Sequence, residues 1–265
     1  MSNIVGLEGT AFAGKTTLLQ HLKRNHGDRV SVVPEASEIV GGDKHFPSVP
    51  FADFNAAKFS THFFLELEKE RSRIAKDLLK EKELPVILDR STMISTILFF
   101  LMLEKNNPDL HQFPESFLDY ALEIFREELD LESFVVPALL VYLRPKNKGV
   151  FNSRLKRGTK NETLAEWGNF QFMNAAYLSL LERHFGESGQ SIQLESENTE
   201  ENLELLAKKT IEFAEQPDVD LVKNVFADFF NPKDHVKKPV ELAFPREDFS
   251  SARNMLLGLM NKVNK

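Results

Sequence analysis

An α/β fold, with a mostly parallel sheet and helices on both faces, is what the sequence predicts. Short apolar runs are followed repeatedly by segments of helical spacing, and the turns between them carry glycine, proline or aspartate. Strand then helix, repeated, is the pattern of parallel strands joined by crossover helices. The 265 residues are 42% hydrophobic and include 23 phenylalanines, enough to bury a sizeable core, so the chain lies outside the weakly apolar class that stays unfolded.

Residues 4–7 form an apolar run that stops at glycine, and residues 16–24 carry Leu18, Leu19 and Leu22 at helical spacing. The chain therefore opens as strand, turn and helix. Residues 29–33 make a second strand ended by Pro34, and residues 51–83, without interior Pro or Gly, make one or two helices. A β-type run at 85–88 ends in Asp89-Arg90-Ser91 and leads into an apolar helix at 92–103. A helix at 115–131, a strand at 138–143, a last strand at 191–194 and a helix at 199–213 continue the alternation.

Composition changes after Gln216-Pro217-Asp218. Pro217, Pro232, Pro239 and Pro245 cut the following residues into short pieces. Ala252, Met255, Leu256, Leu259, Met260 and Val263 then fall at helical spacing behind Ser250 or Ser251 as N-cap. The expected division is a main domain over 1–215 and a C-terminal helical extension over 216–265. The extension is read as packed on the core, with an interface to a second subunit, as in a homodimer, as the alternative.

The 33 basic and 40 acidic residues leave a net charge of -7 and a pI near 5.6, which disfavours nucleic acid and anionic membranes as partners while allowing a local basic pocket. The absence of cysteine excludes disulfides, thiolate zinc sites and a cysteine nucleophile, and suits a reducing compartment. The most apolar stretch, 93–103, is about half of what a membrane span requires. The first apolar residues run straight into a glycine-lysine motif that the mature protein needs, so no signal peptide is read and a cytoplasmic enzyme is expected.

That motif is Gly9-Thr10-Ala11-Phe12-Ala13-Gly14-Lys15-Thr16, followed by Thr17: glycine, four residues, glycine, lysine and threonine between a strand and a helix. Glycines let the backbone curl so that successive N–H groups converge on a phosphate at the positive end of the helix. Lys15 then reaches the β and γ phosphates, and the Thr16 hydroxyl ligates Mg²⁺.

Three further features favour a kinase over other nucleotide-binding classes. Asn147-Lys148 is followed by Gly149-Val150, without the aspartate of the GTPase base-recognition element. The apolar strand ends in Asp89-Arg90 rather than the acidic pair of many motors; Asp89 can hold Mg²⁺ through water, and Arg90 suits a second anion or an acceptor. Arg154 and Arg157 stand three apart on one helical face ahead of a glycine turn, as mobile lid arginines that close over phosphates would.

Together these residues resemble the P-loop nucleoside and nucleotide kinases, the group of the deoxynucleoside kinases and thymidylate kinase, over residues 3–214. Leu7-Glu8-Gly9 through Leu18 looks like the family's first strand and phosphate loop, Pro34-Glu35 like its segment after strand two, and Asp89-Arg90-Ser91 like its acid-arginine-serine triplet. Arg154, Lys156, Arg157 and Gly158 look like the lid, and Tyr177 falls in the helix that follows it. The resemblance implies a P-loop NTPase fold of three α/β/α layers around five parallel strands, ATP with Mg²⁺, and transfer of the γ-phosphate to a nucleoside, a nucleotide or a related small molecule. It also implies that Glu35 takes the acceptor's proton and that Arg90 has the role of the triplet's arginine. The chain departs from deoxynucleoside kinases in having Asp89 where glutamate is usual and Ala36-Ser37 where proline is frequent. From thymidylate kinases it departs in lacking Arg-Glu-Pro-Gly-Gly.

Glu35 has an independent argument, since it follows a strand at the edge where open α/β sheets bind ligands; capping the next helix is its alternative use. A carboxylate serves a hydroxyl acceptor, whereas a phosphate acceptor needs arginines, so Glu35 with Arg90 leans toward a nucleoside-like alcohol. Glu8 is read as structural, His45, His62 and His111 as surface or core residues, and Trp167 and Phe170 as packing. The leading reading is an ATP-dependent kinase of a nucleoside-like small molecule. In it, residues 9–17 bind the donor, Thr16 and Asp89 manage Mg²⁺, and Lys15, Glu35, Arg90, Arg154 and Arg157 carry the chemistry. A thymidylate-type monophosphate kinase, a non-metabolic ATP-binding switch and, against its charge, a polynucleotide 5′-kinase are the alternatives.

Overall fold

The computed structural model describes residues 4–47, 54–90, 134–135, 137–156, 170–175, 177–178 and 190–216, together with Tyr120 and Ile124. Five strands, β1 (Ile4–Glu8), β2 (Ser31–Val33), β3 (Val86–Asp89), β4 (Leu139–Pro145) and β5 (Ser191–Ser196), form one sheet in the order β2-β3-β1-β4-β5. Every neighbouring pair is parallel. Strands β3 and β4 open on apolar runs, Val86-Ile87-Leu88 and Leu139-Leu140-Val141, because the middle of a parallel sheet is covered on both faces.

The helices are α1 (Lys15–Asn25), α2 (Ala36–Val40), α3 (Phe54–Lys82), α4 (Lys148–Leu155) and α5 (Glu200–Ala214), with a 3₁₀ turn at Asp43–His45. The stretch expected as one or two helices is a single one of 29 residues, ended by Glu83 in the left-handed region at φ 53°. Residues 170–175 and 177–178 are also helical, as are Tyr120 and Ile124 within the expected 115–131 helix. The expected helix at 92–103, the C-terminal extension and the 252–263 helix lie outside the described residues.

The chain divides into two compact units. The first takes in residues up to Pro34, 73–102 and 135–221, and so the whole sheet. On one side, Leu18, Leu19 and Leu22 of α1 and Leu206, Ile211 and Phe213 of α5 pack with Val5, Leu7, Ile87, Leu139, Val141 and Leu143. On the other, Ile74, Ala75, Leu78 and Leu79 of α3 pack with Val33, Val86 and Leu88. Along β3, Ile87 joins the first cluster while Val86 and Leu88 join the second, as alternation along a strand requires. Three layers, α/β/α, result.

The second unit includes residues 35–72 and Tyr120. Its core is Val40, Phe63 and Leu67 with Ile39, Phe46, Phe59 and Phe64. Within it His62 Nε2 lies 2.7 Å from the Tyr120 hydroxyl, so His62 is a hydrogen-bonded residue of that packing rather than a free surface group. No described helix is long and apolar enough to cross a membrane.

Candidate active site

The turn from β1 to α1 is set by backbone geometry that only some residues tolerate. Gly9 sits at φ 147°, and a Cβ placed there would stand 2.2 Å from the Leu143 carbonyl oxygen of β4. Gly14 caps α1 at φ 92°. Between them Phe12, at φ 61°, holds a left-handed conformation without being glycine. Its ring packs edge-on against Phe151 of α4 at 5.4 Å between centroids, and Phe151 meets Phe170 at 5.1 Å, so aromatic contacts offset the strain. Phe170 is a packing residue, as expected.

The loop's carbonyls are engaged by side chains. Lys15 Nζ donates to Gly9 O at 2.8 Å and Thr10 O at 2.9 Å, Arg154 Nη1 donates to Phe12 O at 3.0 Å, and the Ser196 hydroxyl donates to Ala13 O at 2.6 Å. Within the loop Ala13 N donates to Thr10 O at 3.3 Å, and the turn ends at the N-terminus of α1, where first-turn amides and the helix dipole suit an anion. Thr10 Oγ1, in the same turn, is buried with no hydrogen-bond partner among the described residues.

Arg154, expected as a lid residue, is engaged beyond the loop as well. Its guanidinium also donates to Ser196 Oγ at 2.7 Å, Glu197 O at 2.8 Å and, from Nε, Asn198 Oδ1 at 2.8 Å. A planar fork of five donors suits a hub of this kind. Helix α4, capped by the Asn147 side chain on Val150 N, ends at Leu155 just beyond Arg154; Arg157 lies outside the described residues.

Thr16 and Thr17 are exposed in the first turn of α1, whereas Lys15 is buried. Asp89 ends β3 beside Leu7 of β1, and it is buried too. A threonine hydroxyl in the first turn of α1 and a carboxylate at the end of β3 are hard oxygen donors, and this donor chemistry fits Mg²⁺. Arg90 follows, exposed and at φ 59°, with its N–H donating to Leu7 O at 3.0 Å.

Glu8 is fully buried and accepts a hydrogen bond from the Tyr177 hydroxyl at 3.1 Å. Tyr177 lies against Tyr142 at 5.2 Å, and Tyr142 donates to Asn174 Oδ1 at 2.8 Å. Burial pushes the Tyr142 hydroxyl well above its ordinary range, so it remains a donor. Glu8 is thus tied into a polar cluster under the loop, in line with the structural role expected of it.

Glu35 belongs to the second unit and stands at the N-cap of α2, but its carboxylate makes no capping bond. Ser196 and Asn198, which hold Arg154, were invisible to motif reading. The available signal was their position at the C-terminal end of the last parallel strand, where such sheets place their ligands.

A family model for deoxynucleoside kinase matches residues 5–232. No curated protein matches the chain. Among solved structures, deoxyadenosine kinase from M. mycoides with dCMP and dCDP superposes with a TM-score of 0.52 at 18% identity, covering 79% of this chain and 99% of that one. The same kinase with bound dATP gives 0.52 at 18%, covering 78% and 98%. Thymidylate kinase from Candida albicans gives 0.49 at 13%, covering 81% and 94%. The likeness to deoxyadenosine kinase agrees with the three-layer fold described above, and the family match spans most of the chain. With its strand order, its phosphate loop and that match, the chain belongs to the deoxynucleoside kinase family and is a phosphotransferase acting on nucleosides or nucleotides.

Proposed function

We propose that the protein transfers the γ-phosphate of ATP to a hydroxyl of a nucleoside-like acceptor. The observation that carries this reading is the glycine-lysine-threonine turn at residues 9–16, held between β1 and α1 by hydrogen bonds from Lys15, Arg154 and Ser196 to its carbonyls and ending at a helix N-terminus, where amides receive phosphate. The donor's phosphates rest on those amides, and the Lys15 ammonium moves from the loop carbonyls to the β and γ phosphates. Thr16 and Asp89 would hold Mg²⁺, which when bound neutralises charge on the transferred group. Arg154 keeps its positive charge at the rim of the loop, and Arg157 and Arg90 add theirs as charge develops.

Glu35 is the acceptor's proton partner in this reading. Its place directly after β2, at the edge where open α/β sheets bind ligands, supports this use. A carboxylate that accepts the hydroxyl proton raises the oxygen's nucleophilicity as the bond to phosphorus forms. The family match supports a nucleoside-type acceptor, the acidic pI of 5.6 disfavours a nucleic-acid strand, and the division into 1–215 and 216–265 stays part of the proposal. A panel of nucleosides, nucleoside monophosphates and nicotinamide riboside, read by ATP consumption, tests it. Turnover with a nucleoside is the expected result, and turnover only with monophosphates, or with no small acceptor at all, would overturn it.

A further inference from the structure

On the outer side of the first unit, two helices bring together three metal-binding side chains that the phosphotransfer site does not use. His21 Nε2 lies 2.9 Å from Glu204 Oε2, and His26 Nε2 lies 3.5 Å from the same oxygen. All three ligand atoms fall within 4.8 Å of one another. In a tetrahedral Zn²⁺ site with bonds of about 2.0–2.1 Å, ligand atoms stand about 3.3 Å apart, and the two measured separations bracket that value. His26 Nε2 is buried, and its described partner is that Glu204 oxygen at 3.5 Å, longer than a well-formed hydrogen bond, so a cation between rings and carboxylate would engage it more closely.

The backbone fixes these side chains in place. His26 caps α1, donating its N–H to Leu22 O at 2.9 Å and accepting at its own carbonyl from Arg29 N at 3.0 Å and Val30 N at 3.1 Å. His21 sits six residues beyond Lys15, about 9 Å along the same helix, and is itself buried. Glu204 projects from α5, which packs beside α1, and its other oxygen, Oε1, lies 3.7 Å from Lys208 Nζ. Because the Glu204 side chain is 38% exposed, an ion can enter from solvent.

We propose that His21, His26 and Glu204 form a binding site for a divalent transition ion of the Zn²⁺ class, completed by water, that links α1 to α5. Two imidazoles and one carboxylate are a set that Zn²⁺ accepts readily and that Mg²⁺, which prefers oxygen, does not. Binding at His21 Nε2 moves that ring's proton to Nδ1. The Asn25 amide lies 3.2 Å from Nδ1, and turned by half a rotation it presents its oxygen as the acceptor, the kind of outer partner that orients metal-bound histidines.

The test uses untagged full-length protein, stripped with a chelator and titrated with Co²⁺ and then Zn²⁺ in millimolar Mg²⁺, so that oxygen sites are already filled. The expected result is one equivalent of Co²⁺ with the visible absorption of a four- or five-coordinate ion, its displacement by Zn²⁺, and a rise in unfolding midpoint with Zn²⁺. His26→Gln and Glu204→Gln should each lower Zn²⁺ affinity by more than the roughly 10–100-fold that loss of an outer partner brings, and Asn25→Ala by about that much. Asp89→Asn should leave the affinity unchanged, which separates this site from the phosphate loop. Absence of uptake at micromolar Zn²⁺, or folded His26→Gln and Glu204→Gln variants that bind as the parent does, would overturn the proposal.

Discussion

Arg154 Nη1 donates to the carbonyl of Phe12, 142 positions earlier in the chain, across 3.0 Å. The bond joins the helix after β4 to the phosphate loop, and the same guanidinium holds Ser196, Glu197 and Asn198 after β5. Three loops at one sheet edge therefore share one cation. Arg154→Ala is expected to lower stability by about 2–3 kcal/mol, as charge-assisted hydrogen bonds are lost, and to raise KM for ATP. Arg154→Lys should recover only part of both, since an ammonium cannot span the same acceptors. Denaturant unfolding and steady-state kinetics on the three proteins check it.

Phe12 separates strain from packing. Phe12→Ala keeps the left-handed φ of 61° and removes the contact with Phe151, whereas Phe12→Gly removes both. Glycine should therefore be the more stable variant by about 1–2 kcal/mol, although it is the smaller residue. Equal stabilities would show that the turn carries no strain.

Tyr177→Phe deletes one hydroxyl and leaves the buried Glu8 carboxylate short of a donor. A loss of about 1.5–3 kcal/mol is expected. Chemical unfolding measures it, and a loss below a few tenths would mean that Glu8 is served without Tyr177.

Lys15→Ala is expected to reduce turnover by roughly 10²–10³-fold or more under the proposed role, and to lower stability by about 1–3 kcal/mol because the buried ammonium also holds Gly9 O and Thr10 O. Glu35→Gln tests the acceptor side. A comparable fall in kcat is expected with a nucleoside, and near-normal rates would favour an acceptor that is already anionic.

Acid should weaken the contact between α1 and α5 in a defined window. The hydrogen bond from His21, aided by attraction to His26, holds the Glu204 carboxyl below its usual 4.5 against a smaller opposing effect of burial. A carboxyl lowered in the folded state stabilises above its unfolded pKa, and that contribution disappears as pH falls through the folded value. The stability difference between parent and Glu204→Gln, measured in chelator by denaturant unfolding, should be present at neutral pH and shrink below pH 4.5. A difference constant from pH 7 to pH 3 would contradict this.

The sheet was legible because its strands are bounded by residues that punctuate the chain: Gly9 after β1, Pro34 after β2, Asp89 at the end of β3. The phosphate loop was legible because its chemistry fixes both residue types and spacing. Arg154 illustrates the limit. Sequence shows a cation near a glycine turn, but a guanidinium's partners depend on which strand ends are neighbours, and β5 reaches Arg154 only through the sheet order. The same holds for His21, His26 and Glu204, which stand up to 183 residues apart and meet only because α1 and α5 cover one face. Glu35 was found by resemblance and by its place after a strand, and its missing cap bond came from the structure.

The contact between Gly9 and β4 bears on the choice of an inactive control. Any side chain at position 9 would collide with the Leu143 carbonyl, so such a protein would report misfolding rather than loss of chemistry. Lys15→Ala sets no atom against β4, so its loss of turnover can be separated from the smaller cost of two loop hydrogen bonds.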